Sequence, residues 1–292
     1  MGIVKDKNKN FTHLHVHTEY SLLDGSNKIQ EYVNRVRELG MDSAAITDHG
    51  VMYGVIDFYR AARAAGINPI LGCEVYVAPG SRFDREIGSG DDRYYHLVLL
   101  AENNQGYANL MKIVSKSFVE GFYYKPRVDL QLLEKYHEGL IALSACLAGE
   151  VARFLTRGMY EDAKAAALRY QDIFGKGNFF LELQDHGIPE QQNVNQQLLK
   201  MHRETGIELV ATNDVHYTLA EDAQPHDVLL CLQTGKKLSD ENRMRYDGGQ
   251  YYVKSPEEME RLFPYATEAL ENTHKIAERC HVEIEFGVTK LP

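Results

Sequence analysis

The hydrophobic pattern of this chain alternates repeatedly between short apolar runs and stretches with helical spacing, and few folds accept that rhythm. Apolar runs fall at THLHV (12–16), SAAIT (43–47), ILGCEVYV (70–77), YYHLVLL (94–100), LIALSA (140–145), NFFLEL (178–183) and IELVAT (207–212). Between them the spacing turns helical. NKIQEYVNRVRELG places Ile29, Val33, Val36 and Leu39 on one face and stops at Gly40. Further helical stretches cover 53–65, 104–119, 149–174 and 189–205. Seven βα units in series predict a parallel sheet with right-handed crossovers, here closed into a seven-stranded β/α barrel. GSRFDREIGSGDDR (80–93) reads as a long polar loop, and the chain after residue 219 as a helical tail with a polar loop at 234–249 and a short YYVKS strand.

The first apolar run carries an anomaly. In FTHLHVHTEYSLLDG, His13, His15 and His17 occupy alternate positions, so strand geometry turns them away from Leu14 and Val16. Three imidazoles buried without partners would be costly. An ordinary polar outer face explains one such strand. It does not explain the other strand ends, where metal-ligand residue types recur. Asp24 follows strand one, and Asp48 and His49 follow strand two in ITDHG. Glu74 lies near the end of strand three, His96 on strand four and Cys146 at the end of strand five. Asp214 and His216 lie beyond strand seven in ATNDVHY. Strand C-terminal ends of a β/α barrel share one face, so residues spread over two hundred positions converge on one pocket. Setting aside His13 and Asp48, nine ligands exceed what one tetrahedral zinc takes. They suit two or three metals, with Glu74 or Asp214 able to bridge because a carboxylate has two oxygens. Imidazole and thiolate favour zinc, and the carboxylates also admit manganese or iron.

Other readings are plainer. The net charge of −10 argues against a surface that grips duplex DNA, so nucleic-acid contact must be local or metal-mediated. No run of about 18 apolar residues offers a membrane span. Cys73, Cys231 and Cys280 read as small core residues, and four cysteines without C-x-x-C fit reduced thiols in an intracellular location. GFYYKPRVD (121–129) mixes aromatic and basic residues, so Tyr124, Lys125 and Arg127 are candidates for contact with single-stranded DNA. His186 is a candidate substrate or supporting group, and Asp48 a candidate orienting carboxylate. His13 falls at the far end of its strand from the metals. The basic residues of GKKLSDENRMRYDGG (235–249) read as a solvated loop.

The stretches HLHVHTEYSLLDG, AITDHG, GINPILGCEVYV, YYHLVLLAEN, GFYYKPRVD, IALSACLAGEV and ATNDVHY resemble the PHP (polymerase and histidinol phosphatase) superfamily. Within it they resemble the PHP domains of bacterial DNA polymerase III alpha subunits. The resemblance implies a distorted seven-stranded β/α barrel with a trinuclear site. One metal would take His15, His17, Glu74 and Asp214. A second would share Glu74 and take His96 and Cys146. A third would take Asp24, His49 and His216. This implies metal-dependent phosphodiester hydrolysis, with Glu74, Asp214, His15 and His17 as the catalytic core. In the polymerase branch that means a 3′-to-5′ proofreading exonuclease acting on a single-stranded 3′ end. Its partners would be DNA, the rest of the polymerase subunit and other replisome subunits. A small-molecule phosphatase and a metal-stabilised, non-catalytic scaffold are the alternatives. Residues 1–285 read as one domain, and FGVTKLP (286–292) as the start of a linker to polymerase domains the chain lacks.

Overall fold

The computed structural model describes residues 11–86 and 92–289. The polar N-terminus, the middle of the loop expected at 80–93 and the end of the expected linker lie outside the described residues. Among the described residues eight strands are formed: β1 (Ser43–Ile46), β2 (Asn68–Val77), β3 (Tyr95–Ala101), β4 (Phe122–Tyr123), β5 (Lys125–Val128), β6 (Leu140–Leu143), β7 (Phe179–Leu183) and β8 (Leu209–Ala211). Their order in the sheet is β4-β5-β2-β3-β6-β7-β8, with β1 on β2.

The expected first strand does not form a continuous ladder. It joins the two sheet edges instead. Ala45 and Thr47 donate backbone bonds to His13 and Val16, while His17 and Val215 exchange bonds with Val215 and His15. That segment, β1, β2, β3, β6, β7 and β8 thus make the distorted seven-membered barrel.

Period-two alternation sorts the strand side chains into two cores. Leu14, Ala45, Ile70, Val98, Leu100, Ile141, Leu143, Phe180 and Val210 fill the barrel interior. Ile46, Leu71, Val75, Leu97, Leu99, Ala142, Leu181 and Ala211 face the surrounding helices. The helix Thr267–Arg279 closes the lower end, sending Ile276 and Ala277 into the inner core. Asn272 Nδ2 donates to Leu209 O, and Thr273 Oγ1 accepts from Thr12 N.

Three further expectations are corrected, and GFYYKPRVD, given no secondary structure from the sequence, is placed. The sheet is mixed, because β3 runs antiparallel to both β2 and β6. The described residues between β2 and β3 form no helix, so nothing carries the chain back for a parallel return. The helix expected over 149–174 breaks into Glu150–Thr156 and Tyr160–Phe174 at Gly158, whose φ of 75° interrupts the helix. GFYYKPRVD is a hairpin, β4 and β5, extending the sheet beyond β2. YYVKS makes a single bridge, Tyr217 to Tyr252, rather than a strand.

Candidate metal centre

The same alternation that builds the apolar interior builds the site above it. Glu74 follows Ile70 and Gly72 on the inward face of β2, and Asp214 continues the inward row of Val210 and Thr212. His96 precedes Val98 on the inward face of β3. Because β3 is antiparallel, its N-terminal end is the one at the barrel mouth, which puts a histidine near a strand start into the cluster. His15 and His17 arrive by a different route. Leu14 joins the inner core and Val16 the outer one, so strict alternation breaks at His15. His13 leaves the cluster: it is buried, its Nε2 pairs with Lys254 O at 2.9 Å, and its ring meets Phe11 edge-on.

Glu74 sits at the centre. Its Oε1 lies 3.2 Å from His15 Nε2 and 2.9 Å from His96 Nδ1, and its Oε2 lies 2.6 Å from His49 Nδ1 and 3.5 Å from His17 Nε2. Asp214 Oδ1 is 3.2 Å from both His15 Nε2 and His17 Nε2 and 3.7 Å from His216 Nδ1. Asp24 Oδ2 is 2.7 Å from His49 Nε2 and 3.7 Å from His216 Nε2. Cys146 Sγ approaches His96 Nδ1 at 3.7 Å. Two neighbouring backbones take positive φ without glycine, Asp214 at 43° and Ala145 at 63°, strain of the kind held at functional sites.

Some of these contacts are hydrogen bonds, such as His49 Nε2 to Asp24 and His96 Nδ1 to Glu74, but others are not. His15 Nε2, His17 Nε2, His49 Nδ1, Glu74 Oε2 and Asp214 Oδ1 are all buried without a hydrogen-bond partner. Native proteins rarely leave such atoms unpaired. Three overlapping sets bring ligand atoms within 4.8 Å of one another: His15–His17–Asp214, His49–Glu74–His96 and His17–His49–His216. The donors fit divalent cations, which would satisfy these five atoms.

The charges fit as well. Burial alone would raise the pKa of Glu74, but His96, His15 and His49 outweigh it and hold the carboxyl well below its usual range. Burial opposes protonation of His49, yet Glu74 and Asp24 raise its pKa to about 10. His17 is driven the other way, to about 3, by burial and then by His49 and His216. Burial, with Glu74 and Asp214, pushes the Cys146 thiol up, a shift that a bound cation reverses. Protons and metals therefore compete for the same nitrogens. Titrating Zn²⁺ into the chain at pH 8 is expected to release protons, because His49 still holds one there. Calorimetry in buffers of different ionisation enthalpy measures the release, and affinity should rise with pH toward 10.

Of the other residues singled out, Lys125 lines a cleft of about 590 Å³ that opens onto Asp24, His49 and His96. Tyr20, Tyr53, Tyr76, Tyr94 and Phe118 line it too. Tyr124 stands exposed on the hairpin turn with Arg93 4.6 Å over its ring. Arg127 is corrected: it is buried, and its Nε and Nη2 donate to the carbonyls of Gly121, Arg82 and Asp84, which turns the guanidinium inward. Of the two roles expected for His186, burial removes contact with substrate and leaves the supporting one. It is buried, Nε2 pairs with Asn213 O at 2.7 Å, Nδ1 accepts from Gln191, and the ring stacks on Tyr251. Asp48 supports His17 indirectly, through Ser21 Oγ, which donates to Asp48 at 2.8 Å and lies 3.0 Å from His17 Nδ1.

Two residues escaped the sequence reading. Tyr246 belongs to the loop read as solvated, yet its hydroxyl lies 3.2 Å from both Asp24 Oδ1 and His216 Nε2. No local signal marks it. Glu182 stands 2.7 Å from His15 Nδ1. Its signal was available: a charge inside the otherwise apolar strand FFLEL, one inward step beyond Phe180.

Residues 13–186 match the model of the PHP domain family. The chain is 48% identical over 282 residues to the DNA polymerase III subunit alpha of Treponema pallidum, covering 97% of this chain and 24% of that protein. It is 45% identical over 283 residues to the DNA polymerase III subunit alpha of Thermus aquaticus, covering 95% and 23%. The chain thus spans about a quarter of the length of these curated relatives. Among solved structures, an amidohydrolase from Chromobacterium violaceum is similar with a TM-score of 0.47 at 15% identity, over 70% of this chain and 87% of that one. Among the described residues no helix is long and apolar enough to cross a membrane.

Proposed function

The chain belongs to the PHP domain family, and on that premise we propose that it is a metal-dependent phosphodiesterase, acting as a 3′-to-5′ exonuclease on single-stranded or mismatched 3′ ends within a larger DNA polymerase III alpha subunit. The observation that carries the reading is the set of orphaned, buried ligand atoms beside an open cleft. Two or three divalent ions held there, zinc, manganese or iron, would supply Lewis acidity toward a phosphate and its leaving oxygen. His15, His17 and Asp214 would hold one ion. Glu74 would share another with His96 and Cys146, and Asp24, His49 and His216 would hold the third.

The cleft supports a single-stranded polymer. Its lining is rich in tyrosine, and Lys125 is the one Lys or Arg among the described lining residues. Aromatic faces stack on any base, whereas duplex binding needs many cations along the backbone. A primer with a 3′ mismatch tests the reading. Stepwise, metal-dependent shortening is expected, and hydrolysis confined to small phosphate monoesters would overturn it.

Binding should show the same chemistry. Tyr53 is 58% exposed at the cleft, and Tyr53→Ala should weaken binding of a short single strand by roughly 5- to 100-fold, the effect of losing one stacked base. Lys125→Ala should flatten the dependence of log affinity on log salt by about 0.7, the contribution of one phosphate contact. Fluorescence anisotropy at several salt concentrations checks both.

A further inference from the structure

We propose that Glu182 is a metal-positioning residue: its carboxylate sets the tautomer and donor strength of His15 and supplies negative charge that the bound cations balance. Glu182 is 3% exposed. Its Oε1 accepts from His15 Nδ1 at 2.7 Å, from Thr212 Oγ1 at 2.5 Å and from Gln184 Nε2 at 3.0 Å. Three donors on one oxygen fix the carboxylate from three sides. None of the sets of ligand atoms within 4.8 Å includes Glu182, whose Oε2 is buried without a hydrogen-bond partner, and its contact with those sets is the one to His15.

The consequence for His15 follows from imidazole chemistry. With its proton on Nδ1 and held by Glu182, the ring presents the Nε2 lone pair, and that atom faces Glu74 and Asp214 at 3.2 Å. A carboxylate behind a ligand histidine also raises its basicity, which strengthens the bond to a metal. Charge completes the argument. Asp24, Glu74, Glu182 and Asp214 are four buried carboxylates, and among the described residues none of them pairs with a lysine or arginine. Among the described residues, histidines are the groups able to carry positive charge that face them. Glu182 lies behind the ligands, where its charge can be offset only by His15 and what His15 binds.

The proposal rests on the metal-site reading above and is independent of the substrate. The experiment is Zn²⁺ titration of the 292-residue chain against a chromogenic chelator, with Co²⁺ absorption as a second readout. Glu182→Gln keeps the shape and one acceptor but removes the charge. It should weaken one class of site by 10- to 100-fold and leave the others within about twofold. Thr212→Val removes a donor and keeps the carboxylate, and should leave every site within a few-fold. If E182Q binds Zn²⁺ as the wild type does, or if T212V weakens the same site equally, the proposal is overturned. Should E182Q fail to fold, E182D decides: it draws the charge back from Nδ1, and unchanged affinity refutes the role. A wild type that binds no metal would defeat the metal-site reading instead.

Discussion

Glu74→Gln is expected to remove metal-dependent hydrolysis, lowering kcat/KM by about a thousandfold or more, while the barrel stays folded. Glu74 alone places oxygens within 3.5 Å of four imidazoles, those of His15, His17, His49 and His96. A glutamine keeps one acceptor oxygen and turns an amide toward the remaining nitrogens. An amide neither bridges two cations nor offsets their charge. A thousandfold loss corresponds to about 4 kcal/mol, the several kcal/mol that metal ions contribute to stabilising a charged transition state. The fold should survive because the inner core below the site is apolar and independent of Glu74: Leu14, Ala45, Ile70, Val98, Ile141, Phe180 and Val210 fill it. Circular dichroism reports the fold, and the mismatched-primer assay reports the activity. Wild-type rates in the variant would refute the central role of Glu74. Asp214→Asn should behave alike, since its Oδ1 faces three of the histidines.

Stripping the metals should lower the melting temperature by on the order of 10 °C, with the gap widening as pH rises. A ligand present at a thousand times its dissociation constant stabilises the folded state by about 4 kcal/mol for each bound ion, and a chain of this size shifts by roughly 1.5–2 °C per kcal/mol. The pH dependence follows from His49. Its folded pKa is raised to about 10 from 6.5, so in the metal-free protein its proton contributes stability that is fully present below 6.5 and is lost as pH rises through 10. A bound cation replaces that proton and removes the loss. Melting with and without a chelator at pH 6.5, 8 and 9.5 tests this. A gap that shrinks with rising pH would contradict the ion taking the place of the proton.

Much of the fold is local. Two helices stop at glycines: Gly66 and Gly206 take left-handed conformations at the ends of Val55–Ala65 and Pro189–Thr205. Ser255 and Glu258 form a capping box that starts Pro256–Leu262. The strands are legible because an interior face and a helix-covered face both demand apolar residues, which leaves continuous hydrophobic runs. Ligand types at successive strand ends are legible for a related reason. A buried polar side chain in such a run needs a partner, and the run offers none nearby.

What the chain's own pattern determined, then, is the βα rhythm, the placement of polar residues one step past each apolar run, and the donor types suited to divalent ions. What only the tertiary structure decided is how those pieces face one another. The antiparallel course of β3 brings His96 to the mouth from a strand start, a direction set by the absence of a crossover helix among the described residues before it. The broken alternation at His15 depends on bonds to Ala45, Thr47 and Val215. Arg127 looked free for phosphate and is instead held by three carbonyls, and Tyr246 looked solvated and instead meets Asp24 and His216. The physical reason is common to all of these. Composition and periodicity report whether a side chain is apolar and which face of its own element it occupies. A partner two hundred residues away is specified only when the barrel closes and burial forces each polar atom to find one.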